Sequence, residues 1–462
     1  MRTRQGILSK ELRWPSITKP IARRALVQSG LGRFLAVSGG LPRLIDAKST
    51  KDEAVRLLRI AAEIEHALMV QYLYAAFTLG PNADPKFKRN LVTIAKQEMG
   101  HLVTVQNLLL LLGASPHLDR DDLLPRSGKE PSPFELEPAA LESLAKYTII
   151  ESPLDEVIQA NPQQFATYKR AKDKIGPKVL SHLNRVGALY VLIYWLFKKS
   201  DDAEAEEPWQ IDPAAVLEAN PTLKGVHLKD EDFSSAQEIS NLLANRDEWR
   251  AGTGTIIVEE TVDRTIAKVA ISEISAQGEG IGGDSASLSH FQRFLDLFAT
   301  AETQPPDIID VSLARSKLVS TEAGQKLAQF FNVRYQILLL LIDLSLRVAR
   351  GDGEMRSTLS NLAVDEMLAG IRDVASGMLH LTVDSPTKGP VAPPFELPSG
   401  AWPKDSLPDI PTGSKRLRRL LAQARKLDQE VVSKWPGLME ENLHFLRGKN
   451  AEIEEAIDKF PS

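Results

Sequence analysis

The sequence contains no cysteine. Disulfides, thiolate-bound metals, haem–thiolate ligation and cysteine nucleophiles are therefore excluded. Any metal must rest on His, Asp, Glu or backbone oxygen, a donor set that suits iron, manganese or zinc. The ~18 consecutive apolar residues of a membrane span are also missing. The most apolar stretch, Gln336 to Leu346, is interrupted by Asp343. No alternating pattern is strong enough to indicate a sheet, and Thr255 to Val258 is the best short strand candidate. There is no repeat of fixed period. There is also no basic stripe with interleaved aromatics, so a nucleic-acid partner is not expected.

What is present is a chain of 462 residues, 43% hydrophobic and 25% charged, the profile of a globular protein with a core and extensions. The net charge of −5 hides an asymmetry: residues 1–44 carry nine Arg or Lys against Glu11 alone, about +8, which leaves about −13 on the rest. Basic, acid-poor N-termini serve as targeting segments, and Arg23-Arg24 ahead of Ala25, Leu26 and Val27 faintly resembles a twin-arginine signal. Arg33 breaks the apolar stretch and no small-residue cleavage site stands out. The expectation is a cytoplasmic protein whose arm docks on its acidic body, with a targeting role left open.

Apolar residues recur at helical spacing. Ser49 or Thr50 caps a helix that runs to about Leu79 and stops at Gly80-Pro81. A second begins near Pro85 and ends at Gly113, and a third apolar segment spans Val179 to Phe197. Thr261 to Gln277 is a fourth helix, ended by four glycines, and His290 to Ala299 a short fifth. Two long helices, about 322–350 and 354–380, follow Pro305-Pro306. Beyond a Pro-rich run from Pro386 to Pro411, an amphipathic helix places Leu417, Leu420, Leu421, Ala424, Leu427 and Val431 on one face. Four long helices with chemistry-bearing residues inside them predict an all-α bundle. The expected divisions are a basic arm (1–44), a metal-binding bundle (45–300), a helical pair packed on it (301–395), and a Pro-rich strap with the amphipathic helix (396–462).

Glu65 falls on an apolar stripe with Leu58, Ala61, Ala62, Leu68, Met69 and Tyr72, where an unpaired carboxylate is costly and a metal would compensate it; taken alone, a core Glu bonded to Arg or to backbone groups is the better reading. Glu98 and His101 stand three residues apart, on one face of one helical turn that Leu91, Ile94, Val105 and Leu108 extend. Such a Glu-x-x-His turn is the repeated element of bundle di-iron sites. Gly100 between them, costly inside a helix, permits close packing there. Eleven residues separate Glu279 from His290, too far for one turn, but the glycines between them allow a fold-back that brings both to one metal. From the residues alone, a surface Glu in a loop and a His near a helix start is the reading to prefer for this last pair.

These segments carry a resemblance. The Glu65 helix, Glu98-x-x-His101 with Asn107-Leu-Leu, Gly113-Ala-Ser-Pro116, Ile150-Glu151-Ser152-Pro153, Gln277-Gly-Glu-Gly280 and Ser289-His290-Phe291-x-x-Phe294 resemble the iminophenyl-pyruvate dimer synthase-type ferritin-like domain family, which also occurs in the large synthases of the violacein and rebeccamycin pathways. Pro390-Val-Ala-Pro-Pro-Phe-Glu396 is similar to its closing motif, so the likeness spans about residues 45–400. It implies a ferritin-like four-helix bundle with additional C-terminal helices, and metal roles for Glu65, Glu98, His101, Glu279 and His290. One departure is Ala188, in Val186-Gly-Ala-Leu-Tyr190, where the family carries a carboxylate. A two-metal bundle site wants four carboxylates and two His. Three and two stand at matching places, which leaves one iron, an incomplete pair, or repair by Glu63 or Glu273 open, with manganese or zinc as other candidates.

The resulting expectation is a non-haem iron oxidoreductase, mono- or dinuclear, acting on a small aromatic or amino-acid-derived metabolite, with oxidative coupling in specialised metabolism as the family's chemistry. The alternative is a catalytically degenerate bundle that serves as a binding or scaffold subunit, which Ala188 favours. The helix from Lys415 to Val431 is then a candidate surface for a homo-oligomer or partner protein, unless it packs on the bundle.

Overall fold

The structure is a computed structural model that describes residues 47–120, 136–153, 155–180, 185–199, 217, 221–235, 243–244, 249–251, 254–259, 261–280, 288–311, 321–348, 352–379, 390–397, 410–434 and 440–460. The basic arm lies outside the described residues, as do most of the Pro-rich run and the glycines after Gly280.

Two long helices set the frame. In α1 (Thr50–Phe77), Ser49 Oγ accepts the Asp52 N–H at 3.1 Å, and Asp52 and Glu53 occupy the first turn, where the helix dipole favours anions. In α2 (Pro85–Leu111), Asp84 caps the start and Pro85 has no N–H to leave unpaired. The turn between them is pinned to the segment after Pro306: the Ile309 N–H donates to Thr78 O, and the Gly80 N–H to Asp307 O, each at 2.8 Å. Next come α3 (Leu141–Ile150), α4 (Asp155–Gln159), α5 (Pro162–Leu180), α6 (Gly187–Phe197), α7 (Arg264–Glu279) and α8 (His290–Thr303). α6 packs on α1 and α7, α7 reaches α2, and α3 packs on α5 and α8. Apart from one hairpin, Arg250–Ala251 with Gly254–Thr255, the described residues contain no sheet. The fold is the all-α bundle that the helical spacing predicts.

The differences have local causes. The expected third helix is not continuous: α5 ends at Leu180 and α6 begins at Gly187. α7 starts three residues later than expected because Asp263 caps it, its carboxylate accepting the Ile266 N–H at 2.9 Å. The strand candidate from Thr255 contributes one residue to the hairpin, and the chain from Ile256 runs extended without a partner strand.

A second helical layer holds α9 (Glu322–Ser345), α10 (Gly353–Asp365), α11 (Ile371–Leu379), α12 (Ile410–Lys434) and α13 (Glu440–Asp458). The expected helix 354–380 is interrupted by a π-helical turn, Glu366–Gly370. Arg334 of α9, fully buried, donates from Nε to Glu366 Oε1 at 2.7 Å, and the missing Cβ of Gly370 leaves the space for that carboxylate. α9 has the length and hydropathy of a membrane span, but 89% of its most apolar window is buried inside the molecule. One cover is α12, whose Leu417, Leu420, Leu421, Ala424, Leu427 and Val431 are all buried. The apolar face, a candidate partner surface unless it packed on the bundle, is packed inside the molecule. The layers meet at Tyr335, whose hydroxyl contacts Arg120 Nε at 3.0 Å and His66 Nε2, under the ring of Phe395.

Gly100 has a different neighbour from the helix expected. The extended backbone at 256–257 crosses α2 there, so that a Cβ on Gly100 would fall 2.2 Å from Ile257 O. The crossing segment is fastened on either side: the Glu259 N–H donates to Thr104 Oγ1 at 3.0 Å, and Asn107 exchanges two hydrogen bonds of 2.8 Å with Ala244. Gly100→Ala should therefore destabilise the protein by about 1–3 kcal/mol, although Ala would add about 1 kcal/mol in an open helix. Urea unfolding checks this, and unchanged or raised stability would mean that the crossing yields at no cost.

Candidate metal centre

α1 is buried over nearly its whole length, so its polar residues must be satisfied inside the molecule. Glu65 is 1% exposed. One turn of α2 presents Glu98 and His101 to it: His101 Nδ1 lies 2.9 Å from Glu98 Oε2 and 3.4 Å from Glu65 Oε2. The far side of the same imidazole, Nε2, lies 3.1 Å from Gln277 Oε1 on α7. A second trio shares Glu98. His290, the first residue of α8, is fixed by the capping box of Ser289 and Gln292. Its Nδ1 is 3.0 Å from Glu98 Oε1 and 3.6 Å from Glu151 Oε2. Within each trio the candidate ligand atoms all fall within 4.8 Å of one another. The two imidazole centroids are 5.4 Å apart.

Glu279 ends α7 and lines the same chamber, but belongs to neither trio. Its carboxylate occupies the place where Gly187 has no side chain, since a Cβ there would fall 1.6 Å from Glu279 Oε1. His290 therefore does not pair with Glu279 as the fold-back suggested; it faces Glu98 and Glu151. The chamber is about 10 Å³, room for one water, and is lined by Glu65, Glu98, His101, Glu151, Glu279 and Tyr190 among others. A larger cleft, about 1120 Å³, lies near the α1–α2 turn and contains none of these residues.

The expectation of three carboxylates is corrected by Glu151. It caps the C-terminus of α3, one residue beyond the helix, and the chain then leaves through Ser152-Pro153. The two alternatives weighed for repair lie elsewhere: Glu63 Oε1 is 3.0 Å from His117 Nε2, and Glu273 does not line the chamber. The side chain of Ala188 lies outside the described residues, while Gly187 and Tyr190 on either side of it line the chamber. Two tyrosines complete the site. Tyr72 donates to Glu151 Oε1 at 2.5 Å, and Tyr190 donates to Glu65 Oε1. On the apolar stripe of α1, Tyr72 is by its position either core packing or cavity lining, and no local pattern singles out Tyr190 or Gln277. The Ile150-Glu151-Ser152-Pro153 motif was the available signal for Glu151.

Electrostatics follow from burial. Burial pushes Glu65 up to about 8, and the neighbouring Glu98 adds to the rise. Burial likewise pushes Glu279 up to about 8, against the pull of Arg185. For Glu98, burial opposes the charge, but His290 and His101 outweigh it and hold the carboxyl below its usual range. The imidazoles respond in kind. Burial disfavours their cations, yet Glu98 and Glu151 raise His290 to about 9, and Glu65 and Glu98 raise His101. Burial and the adjacent carboxylates keep the Tyr72 and Tyr190 phenols protonated as donors.

Four carboxylates and two imidazoles form the hard oxygen and nitrogen set that first-row metals accept, and the set that two-metal bundles use. Among the described residues, six of their atoms are buried without a partner in hydrogen-bond geometry: Glu65 Oε2 and Glu98 Oε1, whose near neighbours are imidazole nitrogens at 3.4 and 3.0 Å, both Glu279 oxygens and both His290 nitrogens. Unsatisfied buried groups cost about 1–3 kcal/mol each, and more when charged. A bound cation would compensate them, so the residues present fit a metal.

Over 450 aligned residues, 86% of this chain, it is 24% identical to 2-imino-3-(indol-3-yl)propanoate dimerase of Chromobacterium violaceum. Over 134 residues, 23% of this chain, it is 29% identical to dichlorochromopyrrolate synthase of Lentzea aerocolonigenes. The alignments span 39% and 13% of those relatives' own lengths. The crystal structure of a ferritin-like protein from Caulobacter vibrioides aligns over 70% of this chain and 93% of that one, with 14% identity and a TM-score of 0.36, too loose a match to carry an argument. The sequence model of the Ferritin-like family matches residues 58–299, more than half of the chain, from within α1 to within α8. With its helical bundle and its buried carboxylate and histidine trios, the chain belongs to the ferritin-like family.

Proposed function

We propose that the chain is a non-haem iron oxidoreductase with a two-metal centre, acting on a small aromatic or amino-acid-derived metabolite. The observation that carries this reading is the sharing of Glu98 between two trios, with one carboxylate oxygen turned to each imidazole. In this reading Glu65, Glu98 and His101 would hold one iron, and Glu98, Glu151 and His290 would hold the other. Glu279, with both oxygens unpaired, is the fourth carboxylate of the set. Iron bound there would supply one-electron redox steps and open positions for dioxygen. The protein's own residues fix the ligands and exclude water. Gln277 accepts the Nε2–H of His101, which leaves Nδ1 of the neutral ring without a proton and free to bind a metal between Glu65 and Glu98. The two phenols hold one oxygen of Glu65 and one of Glu151. The chamber leaves room for about one water, which limits side reactions of whatever forms inside.

The substrate class rests on the relatives, named for an indole-bearing imino acid and for a chromopyrrolate. The grounds for a scaffold role were Ala188, the basic arm and the C-terminal amphipathic helix. Glu151 brings a fourth carboxylate to the chamber and the α12 face is buried, which weigh against two of them, while the arm lies outside the described residues.

Metal analysis after anaerobic reconstitution with ferrous iron should give about two irons per chain. Values near one or zero would overturn the two-metal centre. Oxygen consumption by the loaded protein should rise when aromatic imino or amino acids are added, and no response to any of them would remove the oxidoreductase reading. The ligand assignment has a separate check. His101→Ala and Glu151→Ala should each lower the iron content to about one per chain, and Glu273→Ala should leave it unchanged. A metal that binds only the folded chain stabilises it by about 2.7 kcal/mol at a hundred times its dissociation constant. The parent's melting temperature should therefore rise with added manganese, and that of Glu98→Ala should rise much less; equal shifts would remove Glu98 from the site.

A further inference from the structure

The two trios are built alike but supported differently. In the first, each terminal ligand has a partner on its far side. Tyr190 of α6 donates to Glu65 Oε1, so that Oε2 is the free oxygen, and Gln277 of α7 accepts from His101 Nε2. Tyr190 and Glu65 are each 1% exposed, and His101 is 3% exposed. These supports come from two helices that pack on each other and on α1 and α2, the carriers of the ligands. In the second trio only Glu151 has such a partner, the Tyr72 hydroxyl. The far nitrogen of His290, Nε2, is buried and has none among the described residues. Glu151 itself sits past the end of a ten-residue helix, and His290 at the first residue of another.

Partners on the far side of a ligand set its tautomer and direction before the metal arrives, and removing one costs roughly 10- to 100-fold in metal affinity. A ligand with no such partner must be ordered by the metal itself, which lowers the affinity. We propose that Tyr190, Gln277 and Tyr72 are positioning residues that make the two metal positions unequal: Glu65–Glu98–His101 is preset and fills first, and Glu98–Glu151–His290 is the looser, exchangeable position. This rests on the two-metal reading above. It assigns each support to one position, so each substitution has a distinct signature.

Stepwise titration of the metal-free protein with cobalt(II), followed by calorimetry and visible absorption, tests it. The parent should bind two ions in two classes at least about tenfold apart. Tyr190→Phe and Gln277→Leu should weaken the tight class about 10- to 100-fold and bring the two classes together. Gln277→Glu keeps the acceptor and should restore the tight class. Tyr72→Phe should weaken only the loose class, towards one ion per chain. Its ring, packed 5.0 Å from Tyr147 and 4.8 Å from Phe294, is retained in the phenylalanine, and an unchanged melting temperature of the metal-free variant separates positioning from folding. Two equal classes in the parent, or the same loss in all three weakened variants, would overturn the inequality and leave the two-metal reading intact. One ion or none in the parent would overturn that reading and this inference together.

Discussion

Glu98 is the residue on which the interior depends. It is a carboxylate in the middle of a buried helix, held charged because an imidazole approaches each of its oxygens. Removing it would leave His101 and His290 facing Glu65 and Glu151 without the group that joins them. The helices around the chamber are arranged to make this cluster tolerable. α1 brings one carboxylate, α2 brings Glu98 with its own histidine, and the ends of α3, α7 and α8 bring the rest. Burying ionisable groups without partners is expensive, so a cluster of this kind persists where a cation compensates it.

The same economy of contact appears outside the chamber. α2 carries chemistry on one face and a tight crossing on another, and Gly100, one residue from His101, makes that crossing possible. Thr104 and Asn107 extend the crossing along the helix with side-chain bonds to backbone. Ala244 and Glu259 thereby brace the helix that holds two ligands, through side-chain bonds to backbone rather than through a packed helix.

The bundle was legible because α1 and α2 have apolar periodicity, caps and stops that agree with one another. Glu65 could be read from its place in an apolar stripe, and Glu98 with His101 from their three-residue spacing. Glu151 could not be read that way. It follows a short helix, has no ligand partner at helical spacing, and precedes Ser-Pro, so locally it reads as a helix stop. Its role depends on a fold that brings sequence positions 98, 151 and 290 together, which no local pattern records. Tyr190 and Gln277 were hidden for the same reason, since a phenol in an apolar helix and an amide near a helix end are ordinary until their partners are known. The face of α12 was read correctly as apolar, but only the tertiary structure shows α9 beneath it. The π turn at Glu366 answers to the buried Arg334, which is 32 residues away in sequence.

α9 also bears on how the molecule is made. It is the most membrane-like helix among the described residues, and the helix that covers it, α12, lies later in the chain. Ribosomal synthesis therefore delivers the bundle and α9 before their cover. For the time needed to add the following residues, an apolar helix stands without its final neighbour, a condition in which nascent chains attract chaperones or aggregate. Phe395, packed against Phe331 and Tyr335 of α9 and stacked on Phe77 of α1, arrives in that interval. It would act as an early clasp, holding the exposed helix to the finished bundle until α12 closes over it.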